Sequence, residues 1–252
     1  MKLKKGLNIV IGLSILLVFW CLISSFGEAG KSSVPSPLKV VLAIQELIED
    51  HVLFEYIGIS LYRFFIGYLS SVIVAIILGL ILGWFPRAWD IIDPIVQVLR
   101  PISPTAWFPF IVIAFGIGNL PAIVIIFISA FFPVLLSTVS AVKKIDPIYL
   151  KVADNFEITG LKIIFKIILP SIFPYIANAM HIALGSAWIF LVAGEMVGAQ
   201  SGLGYLIIDA RNNLRSDTLL AGIVFIGIIG LLLDKLIGYL EKRISVKWGR
   251  FN

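Results

Sequence analysis

The chain has 252 residues, 60% of them hydrophobic and 14% charged, with a mean hydropathy of +1.04; a soluble domain averages about 25% charged. That balance excludes an ordinary water-soluble domain and calls for a bilayer, with residues 1–252 read as one membrane domain. The net charge of +5 does not require nucleic acid, since basic residues flanking spans are enough to produce it, and a lone Cys21 excludes an internal disulfide or a multi-cysteine metal site.

Lys2, Lys4 and Lys5 precede the apolar run Leu7–Phe26. It is either a secretory signal or a first span. Its length exceeds a signal core of roughly 7–15 residues, so it is read as an uncleaved helix. A polar segment, residues 27–55, follows and is expected outside the membrane. Within it Leu38–Asp50 has apolar residues at helical spacing, an amphipathic helix suited to the lipid surface.

The core spans are expected over residues 57–240. The second is Ile57–Trp84, with glycines at 67, 79 and 83 that allow close helix approach. A loop over Phe85–Asp93 leads to a third span, Ile95–Phe115, which Pro101, Pro104 and Pro109 should break inside the bundle. Gly116–Pro121 reads as a turn and Leu120–Val142 as the fourth span. Residues 143–173 read as a loop that leads into a fifth span, Pro174–Gly198. Ala199–Asp217 reads as a loop and Thr218–Tyr239 as the sixth span, before a basic tail. The fold class is all-α, with about six transmembrane helices.

Lysine and arginine placement sets the orientation. With the N-terminus inside, Lys2, Lys4, Lys5, Arg87, Lys143, Lys144, Lys151, Lys162, Lys166, Lys242, Arg243, Lys247 and Arg250 are internal. Lys31, Lys39, Arg211 and Arg215 are external. Both termini are therefore expected in the cytosol, and so is the 143–173 loop. Within it, Lys151–Pro174 is a charged island between apolar segments, longer than a plain connection needs. Two short helices with a bend near Gly160 fit its pattern, either as a docking knob for a soluble partner or as a solvated loop.

On the fifth span His181, Trp188 and Glu195 recur every seven residues and share one helix face over roughly 21 Å. Ionisable groups inside a membrane usually face the bundle interior or a water-filled cavity. This stripe is expected to line a path or an interface between copies; the alternative puts Glu195 and His181 at the two water boundaries. Arg100 snorkels, pairs with Asp90 or Asp93, or attracts an anionic solute. Trp107 lines the path or sits in an interfacial belt. Gly202 and Gly204 permit close backbone packing at an outer gate or a plain turn, and Arg211, Arg215 and Asp217 are placed to meet an external protein. His51 reads as a solvated surface residue. Catalysis finds no support: no HExxH, GxSxG or His/Cys cluster occurs, and no GxxxxGK[ST] to hold ATP.

Arg100–Pro101–Ile102–Ser103–Pro104 with Trp107 and Pro109, Leu169–Pro170 with Pro174, Ala183–Leu184–Gly185 with Trp188, Glu195–Met196 with Gly198, and Gly202–Leu203–Gly204–Tyr205 occur in an order and spacing that resemble a known family. It is the membrane subunit of bacterial type I ABC importers, in the branch for sulfonates, taurine, nitrate and related compounds. That family carries, between its fourth and fifth spans, a Glu-Ala-Ala, three residues, a glycine, then about a dozen residues to Leu-Pro. Here Ala153 keeps the second alanine, while Lys151 stands at the glutamate position and Glu157 at the glycine position. His181 stands where relatives commonly carry arginine.

The resemblance implies a coupling element made by Lys151, Ala153, Asp154, Glu157, Gly160, Leu169 and Pro170. It also implies a path or gate near Arg100, Trp107, His181, Trp188, Glu195, Gly202 and Gly204. It implies a permease working as a homodimer with a cytosolic ATPase dimer, which binds the ATP and magnesium, and with an extracytoplasmic substrate-binding protein. The solute would be small, anionic or vitamin-like, and the location the bacterial plasma membrane. A stand-alone channel or secondary transporter is the rival reading, and a membrane enzyme using Glu195 and His181 a third.

Overall fold

The computed structural model describes residues 2–27, 34–158 and 160–247. Lys31 and Arg250 lie outside them, as does the side chain of Asp154. Among the described residues there are helices and no strand. They are α1 (Lys2–Gly27), α2 (Pro37–Glu49), α3 (Val52–Trp84), α4 (Pro86–Leu99), α5 (Phe108–Phe115), α6 (Asn119–Lys143), α7 (Pro147–Asn155), a short α8 (Leu161–Ile163), α9 (Leu169–Gly198), α10 (Leu203–Asn212) and α11 (Ser216–Lys247). Four are long and apolar enough to cross a bilayer, and the pair Pro86–Leu99 and Pro104–Phe115, bent by 84°, makes a fifth span if counted as one. α1 contains a shorter apolar stretch, Ser14–Ser25, so among the described residues four or five of the expected six spans are long and apolar enough to cross.

The structure starts α3 earlier than the sequence suggests, at Val52, and carries α11 through the expected basic tail to Lys247; three connections also differ. Phe85–Asp93, read as a loop, is mostly the first half of α4: Pro86 starts the helix with its φ already set. The fifth span begins before Pro174: the helical stretch apolar enough to cross runs Ile164–Gly198, its π-turn Ile164–Ile168 leading without a break into Leu169 and Pro170. The loop Ala199–Asp217 contains the ten-residue α10, started after Gly202 at φ 101°.

The chain groups into two compact units, residues 1–59 with 201–227, and residues 60–200 with 228–252. In the first, α2 buries Val40, Ala43 and Leu47 and leaves Leu38, Val41 and Leu42 exposed. Arg215 donates two hydrogen bonds to Glu46, at 2.8 and 2.6 Å, and lies 3.6 Å from Asp217. These hydrogen bonds hold the Glu46 carboxyl below its ordinary value. Arg215, read as a docking charge, is thus paired with α2, and both side chains of the pair stay about half exposed.

In the second unit, helix directions follow from which residues meet. A Cβ on Gly67, Gly79 or Gly83 of α3 would collide with Ile126, Thr138 or Val142 of α6. Numbers rise together, so α3 and α6 run parallel, and the bent pair between them carries the chain back across. Ala122 meets Gly194, and Ser137 donates to the Tyr175 carbonyl, so α9 is antiparallel to α6. Trp188 meets Gly230, and His181 lies 3.2 Å from Glu241, so α11 is antiparallel to α9. The ends of α3, α6 and α11 and the start of α9 therefore share one side of this unit. Arg87, Lys143, Lys144, Lys151, Lys162, Lys166, Lys242 and Arg243 gather there.

Candidate functional site

Three features of the second unit carry chemistry. The first is a buried charge pair. Arg63 of α3 donates to Glu195 at 2.7 Å and, through Nε, to Asn119 Oδ1 at 2.8 Å. Ser60, one helical turn before Arg63, donates to the same carboxylate at 2.9 Å. Arg63 and Glu195 are 1% and 0% exposed. The cluster ties α3, the start of α6 and the end of α9 together, and the Gly118 N–H donates to the Gly198 carbonyl at 3.0 Å nearby in sequence. Trp188, one stripe position earlier, packs edge-on against Phe64 at 5.5 Å.

The stripe His181–Trp188–Glu195 therefore faces α3 and α11. Glu195 and Trp188 are buried against neighbouring helices. Arg63, Ser60 and Asn119 are the residues sequence reasoning missed. The signal was present: a lone arginine inside the apolar run Ile57–Trp84 and a lone glutamate in another span should pair, since bilayer cost forces intramembrane charges together.

The second feature is an open groove of about 490 Å³ beside the broken span. α4 ends at Leu99: Arg100 keeps helical φ and ψ (−54°, −44°), but Pro101 has no N–H with which to continue the hydrogen-bond ladder. Arg100 is left at the break and lines the groove with Ile102 and Pro104. From α9 come Asn178, Ile182, Ser186 and Phe190, spaced by four and so lying on one face, roughly 140° round the helix from the His181–Trp188–Glu195 stripe. Ser129 and Ser137 of α6 complete the polar lining. Among the described residues Arg100 makes no ion pair with Asp90 or Asp93. Trp107, half-buried, packs against the cluster of Phe108, Ile111 and Ile125. His181, Trp188 and Glu195 are not among the lining residues. Gly202 and Gly204 belong to the first unit, at the start of α10, and are buried.

The third feature is the connector from α6 to α9. Asp146 caps α7 by accepting from the Ile148 N–H at 2.9 Å. Ala153 faces inward, 1% exposed, while Ile148, Tyr149, Val152 and Phe156 stand exposed. The chain then bends twice through left-handed residues, Glu157 at φ 54° and Gly160 at φ 61°. Lys151, Glu157 and Gly160 are exposed. α8 passes through a π-turn, Ile164–Ile168, into Leu169 and Pro170 of α9. Ile168, Ile172 and Ile176 anchor this stretch on Ala141 and Val142.

Position 157 explains itself: a left-handed residue suits glycine, and an L side chain there costs roughly 1–2 kcal/mol. Glu157→Gly should therefore raise stability by up to about 1 kcal/mol, after the greater freedom of glycine in the unfolded chain is subtracted. A melting curve of the solubilised protein checks this, and a lower midpoint would show that the Glu157 side chain holds the connector.

The described helices, with a broken third span and a bent two-helix connector, have the fold of an importer's membrane subunit. The model of the family described as binding-protein-dependent transport system inner membrane component matches residues 71–246, and this chain belongs to that family. It is 34% identical over 257 residues to the nitrate import permease protein NrtB of Synechococcus elongatus, covering 97% of this chain and 91% of that one. It is 30% identical over 249 residues to the taurine transport system permease protein TauC of Escherichia coli, covering 96% and 90%. In fold it is similar to an inward-facing structure of the MetNI methionine ABC transporter, with a TM-score of 0.55, 20% identity, and coverage of 79% of this chain and 94% of that one. The protein is a membrane-embedded transport subunit.

Proposed function

We propose that this chain is the permease of an ATP-driven importer for a small anionic solute, working as a homodimer with two copies of a separate cytosolic ATPase and with an external binding protein. One observation carries the coupling role. At the basic end of the second unit, α7 presents Ile148, Tyr149, Val152 and Phe156 to the outside while Ala153 anchors it from within. An exposed apolar patch ringed by charge marks a protein-binding surface. The positive-inside rule puts that end in the cytosol, where an ATPase would reach it. Ala153, Gly160, Leu169 and Pro170 shape the knob; Lys151 and Glu157 lie on its exposed side, where a partner's groove would meet them. The groove beside Arg100 is one wall of the path, which the second copy closes. The nitrate and taurine permeases among its relatives support a small anion as cargo.

Affinity purification of the full chain from membranes tests this. An ATPase should be recovered in equal amount, and Val152→Glu with Phe156→Ser should release it while leaving the permease folded. Recovery of no ATPase, with uptake driven by an ion gradient alone, would mean a secondary transporter.

A further inference from the structure

We propose that the groove selects anions within the membrane, with Arg100 as its charge and Asn178 as its second donor. The proposal rests on the groove being part of the path, as argued above. The polar lining is one cation, one amide and three serines, with no carboxylate. The serine protons are already used: Ser129 donates to the Ile126 carbonyl, Ser137 to Tyr175 and Ser186 to Ile182, at 2.8, 3.1 and 2.8 Å. A hydroxyl so committed offers a passing solute only an acceptor. Among the described residues, the Arg100 guanidinium and the Asn178 amide have no protein partner, and both side chains are exposed.

The available donors are therefore five N–H groups on a fixed positive charge and two on a neutral amide. A guanidinium presents a planar fork that matches the oxygens of a carboxylate or other oxyanion. Apolar walls beside a single charge lower the local dielectric and strengthen its field on a solute in the groove. A cation would meet repulsion there and no compensating carboxylate. The chemistry selects a small oxyanion, so the binding protein is not the sole source of selectivity.

The test needs no knowledge of the natural cargo. Ser186→Cys places a thiol in the groove, on a Cys21→Ser background that removes the native cysteine. The full chain in membrane vesicles with its partner subunits is treated with two small thiol reagents. One is the anionic sulfonatoethyl methanethiosulfonate, the other its trimethylammonium counterpart. The anionic reagent should label faster relative to its rate with a free thiol. Arg100→Gln should cut the anion-to-cation rate ratio by roughly fivefold or more, Arg100→Lys should keep it, and Asn178→Asp should lower it. An unchanged ratio in Arg100→Gln would overturn anion selection while leaving the path in place. No labelling by either reagent would overturn the path reading and this proposal with it.

Discussion

Replacing Arg63 by alanine should destabilise the protein by about 3–5 kcal/mol, the cost of leaving a buried carboxylate without its counter-charge. Glu195 is 0% exposed and has Arg63 at 2.7 Å and Ser60 at 2.9 Å. A buried ion alone pays several kcal/mol in desolvation, which the partner's attraction offsets only while both are present. Glu195→Ala should cost a similar amount for the mirror reason. The joint variant Arg63→Met with Glu195→Leu removes both charges and most of the penalty, so it should melt above either single variant. Glu195→Gln should fall between, because a neutral amide still accepts from Ser60 and Arg63. Melting midpoints of the four purified variants decide the matter. A joint variant as unstable as the singles would show that the pair organises the start of α6, the end of α9 and the first half of α3 by geometry as well as by charge balance.

Gly79→Val should be almost as damaging, at about 3 kcal/mol or more. A Cβ built at Gly79 lies 2.6 Å from Thr138 Cβ and 2.8 Å from Thr138 Cγ2, with the Leu135 carbonyl at 3.3 Å. Thr138 cannot swing away easily: it is fully buried and donates to the Val134 carbonyl at 2.7 Å. α3 and α6 would have to separate, and in a bilayer no hydrophobic force between helices makes up for the lost contact. Overpacking usually costs about 1–3 kcal/mol, and a backbone shift between two spans lies at the high end. Gly83→Val should behave alike, since its Cβ would stand 2.7 Å from Val142 Cβ. Gly227→Ala is the control: nothing lies within 4 Å of its Cβ position, so its yield and melting point should match the parent's. If Gly79→Val kept both, the parallel packing of α3 on α6 would be wrong.

These two sites also show what one sequence can and cannot say. The glycines at 67, 79 and 83 announce a close helix contact, because small residues in a span have few other uses. They do not say which helix approaches, nor that it runs parallel. Likewise the heptad spacing of His181, Trp188 and Glu195 places them on one face, as the structure has it, but not which neighbours that face meets. The groove was only half legible. Arg100 and the proline break stand out in the chain, whereas Asn178 and Ser186 look like ordinary polar residues until α9 turns them to the same side as Arg100. At the connector, Lys151 and Glu157 depart from the family pattern, but only the left-handed backbone at 157 explains why that position favours glycine.

By itself, the sequence determined the solvent, the all-α class, the order of the apolar segments and the basic side of the protein. Each follows from local composition and period: hydrocarbon requires every backbone group to be paired within its own segment, so long apolar runs become helices wherever they pack. Tertiary structure alone decided the Ser60 and Asn119 partners of the Arg63–Glu195 pair, the parallel course of α3 and α6, the faces that α9 gives to the core and to the groove, and the length of α10. Those depend on contacts between residues far apart in the chain. Arg63 and Glu195 are 132 positions apart. Such contacts form because burial makes an unpaired charge or a misplaced methyl cost several kcal/mol.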